Sequence, residues 1–139
     1  MTPLVVDCSV TMAWCFEDEC DELADAVLDA LADGDAWVRS LWPLEVADVL
    51  VAAERRRRLT PADSAWFIEL LMSLPIVVDK RSHERALSQV LAAARQVGIS
   101  VYDASYLELA MRLGATLATR DARLSAAAAS AGVPLFAVK

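Results

Sequence analysis

The sequence predicts an α/β protein, a three-layer α/β/α sandwich built on a parallel sheet. Short apolar runs rich in β-branched residues alternate with longer stretches of helical periodicity. The runs lack the polar alternation of a sheet with one wet face, so both faces are expected to be covered. The glycines, 4 in all, stand at the ends of helical stretches rather than inside strands.

Leu4-Val5-Val6 reads as a buried strand ending at Asp7. Residues 19 to 33 carry Leu23, Val27, Leu28 and Leu31 at three- and four-residue spacings, an amphipathic helix stopped by Gly34. Ala36-Trp37-Val38 is the second strand and completes a βαβ unit. Pro43 opens a helix through Val46, Ala47, Val49, Leu50 and Ala53, and Arg55 to Arg58 close its last turn against the negative end of the dipole. Thr60-Pro61-Ala62-Asp63 starts another through Trp66, Phe67, Leu70 and Leu71, giving a helical hairpin. Ile76-Val77-Val78 is the third strand. Ser82 with Arg85 to Val97 forms a helix stopped by Gly98, and Val101 to Leu113 another stopped by Gly114. Ala115 to Ala118 is the fourth strand, Ala122 to Ala131 a helix before Gly132, and Leu135 to Val138 the fifth strand.

The 139 residues, 57% hydrophobic and 24% charged, are expected to form one domain, 1 to 139, without internal repeats. The apolar runs are far shorter than the roughly 18 residues needed to span a bilayer, and Asp7 interrupts the first, so neither a membrane helix nor a signal peptide is expected and the cytoplasm is the expected location. Cys8, Cys15 and Cys20 are odd in number and lack paired metal-ligand spacing, which points to reduced thiols rather than disulfides or zinc. A formal charge of -7 argues against a protein that coats nucleic acid. It leaves room for an enzyme that cuts nucleic acid, because carboxylates gathered around a divalent cation have their local sign reversed.

Position then decides which acids matter. Parallel strands deliver their following residues to one edge, where ligands bind near a reversal of strand order. Asp7 follows the first strand, Glu45 lies in the first turn after the second, and Asp121 follows the fourth. Asp103 begins a helix that runs back to the start of the fourth strand, so it starts at the same edge. Such a cluster raises its members' pKa values unless a metal neutralises it, and oxygen-only ligation suits Mg²⁺ or Mn²⁺ rather than Zn²⁺. Each acid also has an ordinary reading. Asp7 and Asp121 fit helix caps, and Glu45 and Asp103 complement helix dipoles. Asp18, Glu19, Asp21, Glu22 and Asp25 read as solvated charge. His83 lies outside the edge, the arginine run reads as a solvated helix end, and Trp14, Trp37, Trp42 and Trp66 read as core or interface aromatics.

Asp7-Cys8-Ser9, Pro43-Leu44-Glu45, Tyr102-Asp103-Ala104 and Thr119-Arg120-Asp121, in this order and in this β/α pattern, resemble the PIN-domain ribonucleases, most closely the VapC toxins of bacterial toxin-antitoxin modules. The resemblance implies a five-stranded sheet in the order 3-2-1-4-5 and an acidic quartet at Asp7, Glu45, Asp103 and Asp121, supported by Ser9 and Thr119. It implies metal-dependent cleavage of RNA, a homodimer, and an antitoxin whose C-terminal segment crosses the site. The hairpin around residues 44 to 72, with Trp42 and Trp66, is the expected docking surface. Asp48 departs from the pattern, since many relatives have asparagine one turn after the glutamate. Three alternatives stand beside this reading, one of them a PIN-like scaffold that only binds its partner, which the retention of all four acids disfavours. A receiver-like signalling module would be phosphorylated on Asp79, with Thr119 and Lys139 in support, but two helices separate strands where that fold wants one. A Mg²⁺-dependent phosphatase would use Asp7 as a nucleophile, but its second acid is replaced by Ser9.

Overall fold

In the computed structural model, which describes residues 2–19 and 21–138, the apolar runs pair as a parallel sheet in the order β3-β2-β1-β4. The strands are β1 (Leu4–Val6), β2 (Ala36–Val38), β3 (Ile76–Val78) and β4 (Thr116–Ala118). Leu4 pairs with Ala36 on one side and Thr116 on the other, which puts β1 at the reversal of strand order. Alternation along β1 separates two cores. Val5 packs with Leu107, Leu117 and Leu124, whereas Leu4 and Val6 pack with Val10, Val27 and Leu31. The helices therefore cover both faces, as the unbroken apolar runs require.

They are α1 (Cys8–Ala13), α2 (Glu22–Ala30), α3 (Trp42–Arg55), α4 (Pro61–Ser73), α5 (Leu91–Val97), α6 (Val101–Leu113) and α7 (Ala122–Ala131). α6 and α7 back the Val5 face. The α3–α4 hairpin packs a third cluster, with Val46, Leu50, Phe67 and Leu71 against Met12 and Val38. Thr60 and Asp63 close a reciprocal capping box at the start of α4, as the motif predicts. Gly114, at φ +61°, ends α6 in a left-handed turn that L side chains resist, and the chain enters β4 directly.

Several expected boundaries move. The fifth strand is reduced to a single parallel bridge, Leu117 to Leu135, on the outer edge of β4. Pro134 contributes its carbonyl to Leu117 but has no N–H to extend the ladder. The helix expected over 19 to 33 begins at Glu22, because the Asp21 side chain accepts from Ala24 N at 2.8 Å and caps it. A 3-10 turn (Glu17–Glu19) precedes it. The helix expected from Ser82 and Arg85 is a π-type turn (Ala86–Val90) leading into α5, since the Ser82 hydroxyl bonds Asp79 instead of capping. α3 ends at Arg55, and Arg57 turns the chain at φ 60°. Cys8 and Cys15 are free thiols, while Cys20 and Lys139 lie outside the described residues.

Behind the sheet edge, Asp79 is buried at 4% exposure, and both its oxygens are taken by Arg112, at 3.2 and 2.8 Å, and by Ser82, at 2.6 Å. Burial pushes its pKa up, but Arg112 and Ser82 outweigh burial and hold the carboxyl below its ordinary value. Tied in this way, Asp79 is a structural carboxylate rather than a phosphoacceptor. Its stabilising effect is complete above the unfolded pKa and is lost as the pH falls through the lowered folded one. Asp79→Asn is expected to cost about 3 kcal/mol at neutral pH. Urea titrations at successive pH values should show the gap to the wild type closing below the usual carboxylate range.

Candidate active site

Asp7 is delivered by β1 to the edge where the strand order reverses, and its side chain then starts the next element. Its Oδ1 accepts from Val10 N at 3.1 Å, so it caps α1, the ordinary reading of this residue. The same carboxylate is clasped by two hydroxyls. Ser9 Oγ donates to Oδ1 at 2.6 Å, and Thr119 Oγ1, just past β4, donates to Oδ2. Each hydroxyl also accepts a backbone N–H from the loop beyond β4. Ser9 Oγ takes Arg120 N at 2.9 Å, and Thr119 Oγ1 takes Asp121 N at 3.0 Å. Capping and site formation are thus one arrangement. Burial nevertheless pushes the Asp7 carboxyl above its ordinary value despite these donors, and the charge on Glu45 adds to the rise.

Asp121 caps α7 through Oδ1, which accepts from Arg123 N at 2.8 Å and Leu124 N at 3.2 Å. Asp103 lies in the first turn of α6, whose N-cap is Ser100. Partial burial raises its pKa, and Asp121 and Glu45 raise it further, while Arg39 and the Ser100 hydroxyl act the other way. The four expected acids therefore share one electrostatic field at one edge. Among the described residues, no three His, Cys, Asp or Glu side chains stand close enough as they lie to hold an ion. Asp48 is exposed on α3, one turn beyond Glu45, and no hydrogen bond ties it to the quartet.

Sequence reasoning missed Arg39. It follows β2 directly, is 5% exposed, and grips Glu45 with both arms of its fork, Nε to Oε1 at 2.9 Å and Nη2 to Oε2 at 2.8 Å. Its Nη1 donates to the Tyr102 carbonyl and to Ser105 Oγ at 2.8 Å, joining Glu45 to the start of α6. The guanidinium lies 4.5 Å from the Tyr106 ring centroid, and the Tyr106 hydroxyl donates to Glu45 Oε1 at 2.5 Å. The signal in the sequence was the one used for the acids, a charged residue at the exit of an apolar strand. His83 stands closer to this edge than expected, lining a cavity of about 200 Å³ with Arg39 and Tyr102. Trp42 is buried and donates to Thr11 Oγ1 at 3.0 Å, whereas Trp66 is 66% exposed.

The donor set suits a hard dication. It consists of carboxylate and hydroxyl oxygens, and the neighbouring Cys8 thiol is pushed up to about 12 by burial and by Glu45 and Asp7, so it stays protonated rather than offering a soft thiolate. The raised pKa values of Asp7 and Asp103 come first from burial and then from neighbouring acids, while the Arg39 fork is engaged by Glu45.

The PIN domain family matches residues 4–130. The chain is 30% identical over 122 residues to Ribonuclease VapC3 of Pyrobaculum aerophilum, covering 88% of this chain and 92% of that one. It is 38% identical over 79 residues to Ribonuclease VapC27 of Mycobacterium tuberculosis, 57% of each chain. Among solved structures, PAE2754 from Pyrobaculum aerophilum superposes with a TM-score of 0.67 at 25% identity, over 91% of this chain and 79% of that one. FitAcB from Neisseria gonorrhoeae gives 0.65 at 20% identity over 96% of both, a likeness of fold.

Thr119→Val tests the clasp. It removes the donor to Asp7 and leaves the Asp121 N–H without its acceptor. A loss of about 1–3 kcal/mol in unfolding free energy is expected, measured by denaturant titration.

Proposed function

Since the chain belongs to the PIN-domain family, in its VapC-type branch, we propose that it is an endoribonuclease that hydrolyses RNA phosphodiester bonds with Mg²⁺ or Mn²⁺ at the acidic edge, acting as the toxin of a toxin-antitoxin pair. The observation that supports the site most directly is the clasped Asp7, a carboxylate 5% exposed at the strand-order reversal and held by hydroxyls from two segments.

In this reading Asp7, Asp103 and Asp121 hold the cation. Ser9 and Thr119 keep Asp7 in one orientation, and the Asp121 cap leaves Oδ2 clear of the helix. Glu45, fixed by Arg39 and Tyr106, orients the attacking water and takes up its proton. A divalent ion supplies Lewis acidity, offsetting the carboxylates and the charge that grows on the phosphate oxygens. No side-chain nucleophile takes part. The partner is an antitoxin protein, and the surface that suits it is the exposed side of the α3–α4 hairpin, where Trp66, Leu59 and Arg58 border a hollow with Phe16. We assign the chain a homodimeric state on the same family grounds. Among the described residues, no helix is long and apolar enough to cross a membrane.

Asp7→Asn keeps the shape and capping ability of the side chain while removing its charge. The variant is expected to fold and to lose cleavage of total RNA by about 100-fold or more, read from mapped new RNA ends. EDTA should abolish the same ends in the wild type and Mg²⁺ or Mn²⁺ restore them, whereas undiminished cleavage by Asp7→Asn refutes the assignment. Co-expression with the adjacent reading frame should yield a complex in gel filtration with the ribonuclease silent.

A further inference from the structure

Arg39 holds more of Glu45 than a charge partner needs to. Nε and Nη2 take one oxygen each, and the Tyr106 hydroxyl takes a second lone pair of Oε1. A carboxylate offers about four lone-pair positions, and three are taken on Glu45 as three are on Asp7; what sets Glu45 apart is that two of its donors belong to a guanidinium, whose charge meets both oxygens. The arginine is equally committed. Both hydrogens of Nη1 go to the Tyr102 carbonyl and Ser105 Oγ, the ring of Tyr106 lies against its face, and its side chain is 6% exposed. A guanidinium so engaged is not free to clamp a substrate phosphate, which needs an open fork. Its accessible role runs through Glu45.

We propose that Arg39 is a positioning residue that withholds Glu45 from direct coordination of the divalent ion, leaving the ion to Asp7, Asp103 and Asp121 and keeping Glu45 as a fixed acceptor facing the water. The proposal rests on the metal-dependent reading above and deepens it. Arg39 fixes the carboxylate at the cost of weaker metal binding, because the fork occupies oxygens that the ion would otherwise take and places a positive charge in contact with them. The Tyr102 carbonyl anchors that fork one residue before Asp103, so the start of α6 and the acid of α3 move together.

The test is Mn²⁺ binding to the purified full chain, read from the loss of free-ion EPR signal and needing no RNA. Four proteins are compared: wild type, Arg39→Gln, Glu45→Gln and the double variant. Arg39→Gln is expected to tighten binding about ten-fold. That gain should be at least about five-fold larger with Glu45 present than in the Glu45→Gln background, the coupling expected if the arginine acts through that residue. Arg39→Lys keeps the charge and cannot hold both oxygens. It is expected to tighten binding with Glu45 present and to change nothing in the Glu45→Gln background, which keeps the test decisive if the glutamine variant does not fold. Equal gains in both backgrounds, or none, overturn the proposal and leave the metal reading standing. Failure of every protein, wild type included, to bind millimolar Mn²⁺ removes the metal reading and this proposal with it.

Discussion

Burying an ionised carboxylate at the end of a central strand costs several kcal/mol unless donors replace the lost water, and the fold around Asp7 is organised by that requirement. The donors come from the turn into α1 and from the loop after β4, segments more than a hundred residues apart in the chain. Each hydroxyl that reaches Asp7 also accepts from the β4 loop, so satisfying the buried acid fixes the path of the chain toward Asp121. The parallel pairing of β1 with β4, Val6 opposite Ala118, is what sets Thr119 beside Asp7. The start of α1, the loop after β4 and the placement of two of the four acids are tied to one local electrostatic problem.

The acids of this edge divide by how their charge is met. Asp79 and Glu108 share Arg112, and Glu108 also takes Arg85 at 2.7 Å, so these carboxylates are balanced within the protein. Asp7 and Asp103 are not, and burial together with neighbouring acids pushes both upward. Glu45 lies between the two groups, balanced by Arg39 yet close enough to Asp7 and Asp103 to be felt by them. A chain with 20 acidic and 13 basic residues can therefore carry a few uncompensated acids in one place.

Much of this was legible in the sequence because it depends on period and position. Fully apolar strands and glycine-stopped helices gave the layers, and acids at strand exits gave the edge. α1 was not legible: its 6 residues are too few to show an amphipathic repeat, and Val10, Thr11, Met12 and Ala13 are buried in succession. The fifth strand read as apolar and extended, but Pro134 limits its pairing to one bridge. Asp79 satisfies the same strand-exit rule as Asp7, and what separates them is Arg112, 33 residues downstream, which no local pattern reveals. Arg39 escaped for the same reason, since its partners lie on α3 and at the start of α6. Tyr106 carries no local mark on α6, and its hydroxyl bond to Glu45 becomes visible only once α3 and α6 are brought together.

The central claim is that carboxylates from β1, α6 and the start of α7 share one cation while Glu45 stays on Arg39. Anomalous diffraction from crystals grown with Mn²⁺ addresses it without reference to activity. The account predicts a peak within ligand distance, directly or through water, of Asp7, Asp103 and Asp121, with the Arg39–Glu45 fork intact. Asp7 and Asp121 facing separate ions far apart, or no peak at this edge with manganese bound elsewhere, would contradict it.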